Sequence, residues 1–408
     1  MKRSTYVTMN VYWFGLAFMW NGLHPIILPA LLLQFVPEAL KNTYLGGMTF
    51  LGLILAMVVQ PLAGALSDRT RSPWGRRRPW IVAGTLATLV MLAQMALSRN
   101  LWGLVIGYIL LQLVSNTAHG PGQGLIPDLV PSERRGLASG IKNLFDMGGL
   151  VVTSLVAGQL MGQDNPMLAF SITGGVLVAC ALVTVLTTRE ARSAEAGVSM
   201  DSLRDVLHVD LRRYPRYAWL LASRFLILLG VYAVQSFAQY YIRDWLGASS
   251  PAEVTGNLMA TIGVALTLLV FPAGMLSDRF GRMRLNVVAG GLAALGILSL
   301  LLVRDISALY LSGGIIGVAT GIFVSVNWAL ATDLIPHAEA GKYLGLSNLA
   351  TAGAGAASRL GGPLIDGVNA LRPGAYLGYP VLFALAAAST LLGTLLMLRI
   401  RDERSVAR

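Results

Sequence analysis

Apolar runs of about 20 residues recur along the chain, parted by short stretches in which most of the charges collect. A helix rising about 1.5 Å per residue needs roughly that length to cross the hydrocarbon of a bilayer. Polar positions inside the runs are sparse and fall at helical rather than alternating spacing, which predicts helices and not strands. Twelve spans result: 9–35, 43–66, 79–98, 101–125, 138–161, 167–188, 217–242, 255–276, 285–303, 306–331, 342–365 and 375–399. The one long polar interruption contains "MDSLRDVLHVDLRRYPR", patterned as a short amphipathic helix on the membrane surface. It divides the chain into six spans within 1–188, a cytoplasmic linker at 189–216 and six spans within 217–408. The first apolar run, Val11 to Val36, is too long for the core of a cleavable signal and reads as a retained span.

Composition agrees with the pattern. The chain is 55% hydrophobic and 12% charged, against about 25% charged for a soluble protein, and its mean hydropathy is +0.64. The net charge of +11 follows sidedness: about 23 of the 31 Lys and Arg fall in loops on one side and about five on the other. That bias places both termini in the cytoplasm of a multi-pass protein of the cell membrane. A basic excess scattered over short loops meets lipid headgroups and gives no nucleic-acid site. The single Cys180 excludes an internal disulfide framework and any cysteine-rich metal centre. No phosphate-binding G-x-x-x-x-G-K-[ST] loop, HExxH or nucleophile-elbow motif is present, so neither ATP-driven work nor enzymatic chemistry is expected, and no cofactor or metal.

The two halves echo each other. "GALSDRTRSPWGRRR" follows the second span and "GMLSDRFGRMR" the eighth. "PDLVPSERRGLASGIKN" follows the fourth and "TDLIPHAEAGKYLGLSN" the tenth, matching at Asp128/Asp333, Pro131/Pro336, Gly136/Gly341, Gly140/Gly345 and Asn143/Asn348. Two matches in the same order at corresponding spans indicate a duplicated unit. The expected fold is an all-α integral membrane protein of twelve transmembrane helices in two pseudo-symmetric six-helix bundles.

With these loops the sequence resembles the major facilitator superfamily over nearly its whole length. The resemblance implies alternating access, and it implies that the loop residues Gly64, Asp68, Arg69, Gly75, Arg76, Asp128, Arg135, Asp278, Arg279 and Asp333 form a gating latch. A narrower resemblance is carried by "VQPLAGALSDRTRSPWGRRRPWI" and "SNTAHGP", which look like the corresponding stretches of the plant sucrose:proton symporters. A related loop occurs in the glycoside–pentoside–hexuronide symporters. The resemblance breaks in the fourth span. The plant symporters carry an Asp and an Arg where this chain has Gln112 and Gln123. Glutamine hydrogen-bonds but neither exchanges a proton nor pairs with a charge, so proton coupling is not implied at those positions.

The fourth span also holds the densest polar stripe: Gln112, Asn116, His119 and Gln123 recur at i, i+4, i+7 and i+11. Such a stripe cannot face lipid without losing hydrogen bonds worth several kcal/mol each, so it faces other helices or an aqueous cavity. The resemblance implies that the first, fourth, seventh and tenth spans line the pathway. Candidates in the other three are Trp20, Asn21 and His24; Tyr232, Gln235 and Gln239; and Asn327 and Trp328. Rings beside amides suit a hydroxyl-rich small molecule such as a sugar. The coupling candidates are Asp146, Lys142 and Arg359, with the proton as the expected driving ion. Asp146 has the alternative of a structural i, i+4 pair with Lys142, and Arg359 those of pairing with Asp366 or gripping an anionic cargo. Arg224 is expected to snorkel to the cytoplasmic interface, with a role in the cavity as the alternative. The partners expected are the bilayer and a small solute, with the protein working as a monomer.

Overall fold

A computed structural model describes residues 3–188, 190, 212–335 and 340–400. Most of the surface helix expected over 200–216, and Pro336, lie outside the described residues. Every regular element among the described residues is helical. The first span consists of α1 (Arg3–Thr8), α2 (Val11–Gly22), a π-helical turn (Leu23–Ile27) and α3 (Leu28–Leu32). Then come α4 (Lys41–Asp68), α5 (Arg78–Ala96), α6 (Leu101–Leu129), α7 (Arg135–Gly162) and α8 (Pro166–Thr187). The second half comprises α9 (Pro215–Asp244), α10 (Pro251–Phe280), α11 (Arg282–Ser299), α12 (Ile306–Asp333), α13 (Ala340–Ser358), α14 (Gly361–Leu371) and α15 (Gly378–Met397).

Ten helical segments among the described residues are long and apolar enough to cross a membrane. The ninth segment, α11, opens on Arg282 and Arg284 and falls outside that set. So does the eleventh, which is broken where an unbroken span at 342–365 is expected. The break has a local cause. Arg359 and Leu360 donate to carbonyls three residues back, and Pro363 has no N–H with which to continue the ladder. Proline is tolerated in a first helical turn, so the chain restarts at Gly361.

Sequence-level start signals fix several other ends. The Asn100 side chain accepts from Gly103 N–H at 2.7 Å to begin α6, and Asp305 accepts from Ala308 N–H at 2.9 Å to begin α12. These caps sit at the same point of the two repeats, and each satisfies a donor that the helix cannot.

Packing separates the chain into two compact units. In the first, α2 lies against α7 and α8, and α5 against α6 and α8. In the second, α9 lies against α13 and α15, and α11 against α12 and α15. The same four pairings thus recur span for span, as a duplicated unit requires. The division does not fall only in the central segment. Ala39–Gly47, which includes the start of α4, packs with the second unit, and Ser250–Gly256 with the first. In the second unit Lys41 and Asp244 form a 2.7 Å ion pair in which both side chains are 3% exposed. Tyr379 donates to Asp244 at 2.5 Å. Large apolar side chains such as Leu51, Val58, Leu62, Leu268 and Phe271 remain exposed, as lipid-facing positions should.

Candidate functional site

The first unit contains a continuous polar ladder. The Gln112 amide donates to the Tyr108 hydroxyl at 2.7 Å, and that hydroxyl lies 3.0 Å from His24 Nε2. The Asn116 amide donates to Gln112 Oε1 at 3.1 Å and to the Gln112 carbonyl at 2.6 Å. Gln60 donates to Asn116 Oδ1 at 2.7 Å, and Gln123 reaches Gln60 Oε1 at 3.4 Å. The directions close if Tyr108 gives its proton to His24 Nε2, which makes that nitrogen an acceptor. Trp20 stacks on His24 with ring centroids 5.0 Å apart and an interplanar angle of 23°. Gln112 and Asn116 are buried, whereas Trp20, His24 and Gln60 are half-buried and Gln123 is exposed. The ladder therefore has a satisfied spine and an accessible edge.

Local backbone chemistry places these groups. Pro25 lacks an N–H, and the helix opens there to a π turn closed by Leu28 N–H on the Leu23 carbonyl. Such turns rotate side chains off the regular α register and collect at functional sites. Gly120 allows α6 and α4 to touch, since any side chain there would strike the carbonyl oxygen of Gln60. Asn21 turns its amide to the Ala17 carbonyl of its own helix at 2.8 Å and takes no part in the ladder.

His119 also leaves the stripe expected of it. Its ring meets Trp13 edge-on at 5.1 Å, and Lys142 sits 4.0 Å over the other ring, Trp13. Lys142 donates to Asp146 at 2.7 Å. The coupling candidate and its i, i+4 partner are thus paired, beside an aromatic face that stabilises the ammonium. A helical wheel gives the angle but not the neighbour, which is why His119 parts from Gln112 and Asn116.

In the second unit Tyr232, Gln235 and Gln239 lie on α9 and Asn327 on α12. Tyr232 and Gln235 are half-buried and Gln239 is buried, while Asn327 accepts from Arg224 Nη1 at 2.7 Å. Arg224 does not snorkel. It is 5% exposed, its Nε donates to Thr351 Oγ1 at 2.8 Å, and Trp328, itself 38% exposed, lies 5.9 Å from the guanidinium carbon. Its guanidinium is held inside by Asn327 of α12 and Thr351 of α13, and these hydrogen bonds replace the solvation that snorkelling would give. Arg359 has partners close to it in the chain. It donates to the Gly355 carbonyl at 3.0 Å and Ser358 Oγ at 2.9 Å, and Asp366 is taken by the Asn42 amide at 2.8 Å and Thr43 N–H at 2.6 Å.

The loop residues form ion clusters inside each unit. Arg76 binds Asp128 at 2.5 Å and approaches Asp68 at 3.7 Å, and Arg77 reaches both acids and the Gly64 carbonyl. The hydrogen bond to Asp128 pushes the Arg76 guanidinium above its ordinary pKa. Glu190 adds what the motif did not reveal: its carboxylate accepts from the backbone N–H of Arg76, Arg77 and Arg78 at 2.8–3.0 Å. An acid at a helix N-terminus satisfies orphan donors and meets the positive end of the dipole. Gly75 is required above it, with φ +100° and no room for a Cβ against Glu190. Glu190→Ala should therefore cost about 1–2 kcal/mol, read as a lower melting temperature in detergent, with Glu190→Gln in between. In the second unit Arg282 binds Asp333 at 2.6 Å and Asp278 at 3.3 Å. This is the role expected of Arg279, which lies over Phe280 instead. Arg135 donates to the Val130 and Pro127 carbonyls, closing the end of α6. Arg69 makes no side-chain ion pair among the described residues.

Membrane-length helices, a helix-pairing scheme repeated in the two units, acid–arginine loop clusters and a polar ladder inside an apolar bundle fit a membrane transporter. The family model of the Major Facilitator Superfamily matches residues 5–359, and the chain belongs to that superfamily. The chain is 24% identical over 287 residues to the multidrug resistance protein MdtG of Citrobacter koseri, covering 69% of each. Its fold is similar to that of a bacterial homologue of the human lysosomal transporter Spinster in an inward-facing, unoccupied conformation, with a TM-score of 0.78 at 16% identity and 99% of each chain covered. It is also similar to the D-xylose-proton symporter, with a TM-score of 0.77 at 17% identity over 98% of this chain and 99% of the other.

Proposed function

We propose that the chain is a secondary active transporter working by alternating access, with both termini in the cytoplasm, and that it takes up a sugar or glycoside together with a proton. The observation that carries this reading is the ladder His24–Tyr108–Gln112–Asn116–Gln60. Its imidazole, phenol and amides offer donors and acceptors in alternation, as hydroxyls do, and contain no fixed charge. The Trp20 ring at its edge gives an apolar face for the C–H side of a sugar. Asp146 is the proton-exchanging group in this reading: protonation frees Lys142, which keeps its contact with Trp13. The fold shared with the D-xylose-proton symporter is consistent with such a cargo. A second reading, export of another small compound, is favoured by the MdtG relatives.

Reconstitution into liposomes with a pH dye inside separates the two. Symport predicts that an external sugar acidifies the lumen as solute and proton enter together. Lumenal alkalinisation on solute entry indicates antiport and hence an exporter, and counterflow indifferent to a pH gradient indicates an uncoupled facilitator. Either result sinks proton-coupled uptake.

A further inference from the structure

The second unit holds a buried cation, Arg224, with no acidic partner among the described residues. Arg224 lies about 14 Å along α9 from its first residue by helical rise. None of the ion pairs among the described residues includes it. A guanidinium has five N–H donors. One goes to Thr351 Oγ1 and one to Asn327 Oδ1, leaving three without a hydrogen-bond partner among the described residues. Thr351 gives its own proton to the Ser347 carbonyl at 2.9 Å, so towards Arg224 it acts only as an acceptor. The other end of the Asn327 amide, Nδ2, is fully buried and has no hydrogen-bond partner. Two donor groups, one charged, therefore stand side by side, with no hydrogen-bond acceptor for these protons among the described residues.

Each half of this arrangement is costly. A charge inside the bilayer needs a reason, and a buried charge without a counter-charge more so. The face of Trp328 offsets part of the cost, and the neutral oxygens of Asn327 and Thr351 offset more. Neither supplies negative charge. What complements a guanidinium fork beside an amide N–H is an acceptor-only anion: a carboxylate or a phosphate. A neutral hydroxyl would bring a donor of its own to a site already rich in donors, and a cation would be repelled.

We infer that Arg224 and Asn327 form an anion-recognition site, and that the transported solute carries a carboxylate or phosphate group, as a sugar acid or sugar phosphate does. This rests on the reading of the chain as a solute transporter and narrows its cargo.

The test compares gluconate, glucose 6-phosphate and glucose as ligands of the purified full-length protein in detergent, by thermal shift at constant ionic strength. The expected result is binding of one or both anions at least about tenfold tighter than glucose, the worth of one charge-assisted hydrogen bond. The two anionic arms distinguish carboxylate from phosphate. Arg224→Gln should abolish the preference, and Arg224→Lys, which keeps charge without the fork, should retain part of it. Asn327→Asp covers the case in which removing the arginine prevents folding. Its built-in carboxylate should occupy the guanidinium, raise the melting temperature of the ligand-free protein and erase the response to anions. Equal binding of glucose and the anions, or a preference that survives Arg224→Gln or Asn327→Asp, overturns the inference. So does a shift given by phosphatidylglycerol and by neither soluble anion, which would make the site one for lipid. Anion preference without solute-driven proton flux in liposomes would count against symport and leave this site standing.

Discussion

Asp146→Asn should abolish uphill accumulation while sparing exchange of solute across the membrane. With one proton carried per solute, a pH difference of one unit supports about tenfold accumulation; without a proton-exchanging group the ratio falls to about one. The reason lies in the Lys142–Asp146 contact at 2.7 Å. Asparagine still accepts a hydrogen bond from Lys142 and fills the same volume, so the helix keeps its packing, but the pair can no longer take up a proton. Accumulation and counterflow measured on one preparation of proteoliposomes separate the two effects. Undiminished accumulation would leave Asp146 with a structural salt bridge only, its energy modest as for other i, i+4 pairs.

Gln112→Leu should lower the apparent transport efficiency by about 10–100-fold, equivalent to the roughly 1–3 kcal/mol lost when buried partners are left unsatisfied. Gln112 is the rung through which Asn116 reaches Tyr108 and His24. Leucine removes both its donor and its acceptor, and Tyr108 and Asn116 each lose a contact on one side. The effect on folding should be smaller, because hydrogen bonds between membrane helices are worth about 0.6 kcal/mol each. Gln112→Glu, which keeps the acceptor towards Asn116 but not the donor towards Tyr108, should fall between. Equal losses of stability and of transport would reduce the ladder to interhelical glue.

Much of the fold was legible in the chain because bilayer thickness and a duplicated loop motif constrain it strongly. The lengths of most spans and the repeat follow from these two constraints. The site was legible only in part. Gln112 and Asn116 share a helix, so their spacing placed them together, but the partners that complete the ladder come from elsewhere. Tyr108 reads as one more apolar residue in its run, and Gln60 as the residue before Pro61. What joins them is close helix contact, enabled at Gly120, and that is tertiary. Arg224 shows the same gap from another side. Position along a helix gives its depth but not its rotation, and rotation decides between snorkelling and burial against Asn327 and Thr351. The Lys41–Asp244 pair escaped because each residue lies at the end of its helix, where charges are ordinary. Glu190 escaped because it stands 112 positions from Arg78, whose N–H it caps.

The most direct measurement is labelling of a single cysteine at the accessible edge of the ladder. Cys180 is buried and can be replaced by Ala to give a background without thiols, into which Trp20→Cys is introduced. A membrane-impermeant maleimide is then applied to right-side-out and to inverted vesicles. Alternating access predicts labelling from both sides, with each rate falling when the cargo's preferred conformation hides the position. Labelling from one side alone, or from neither, would contradict it.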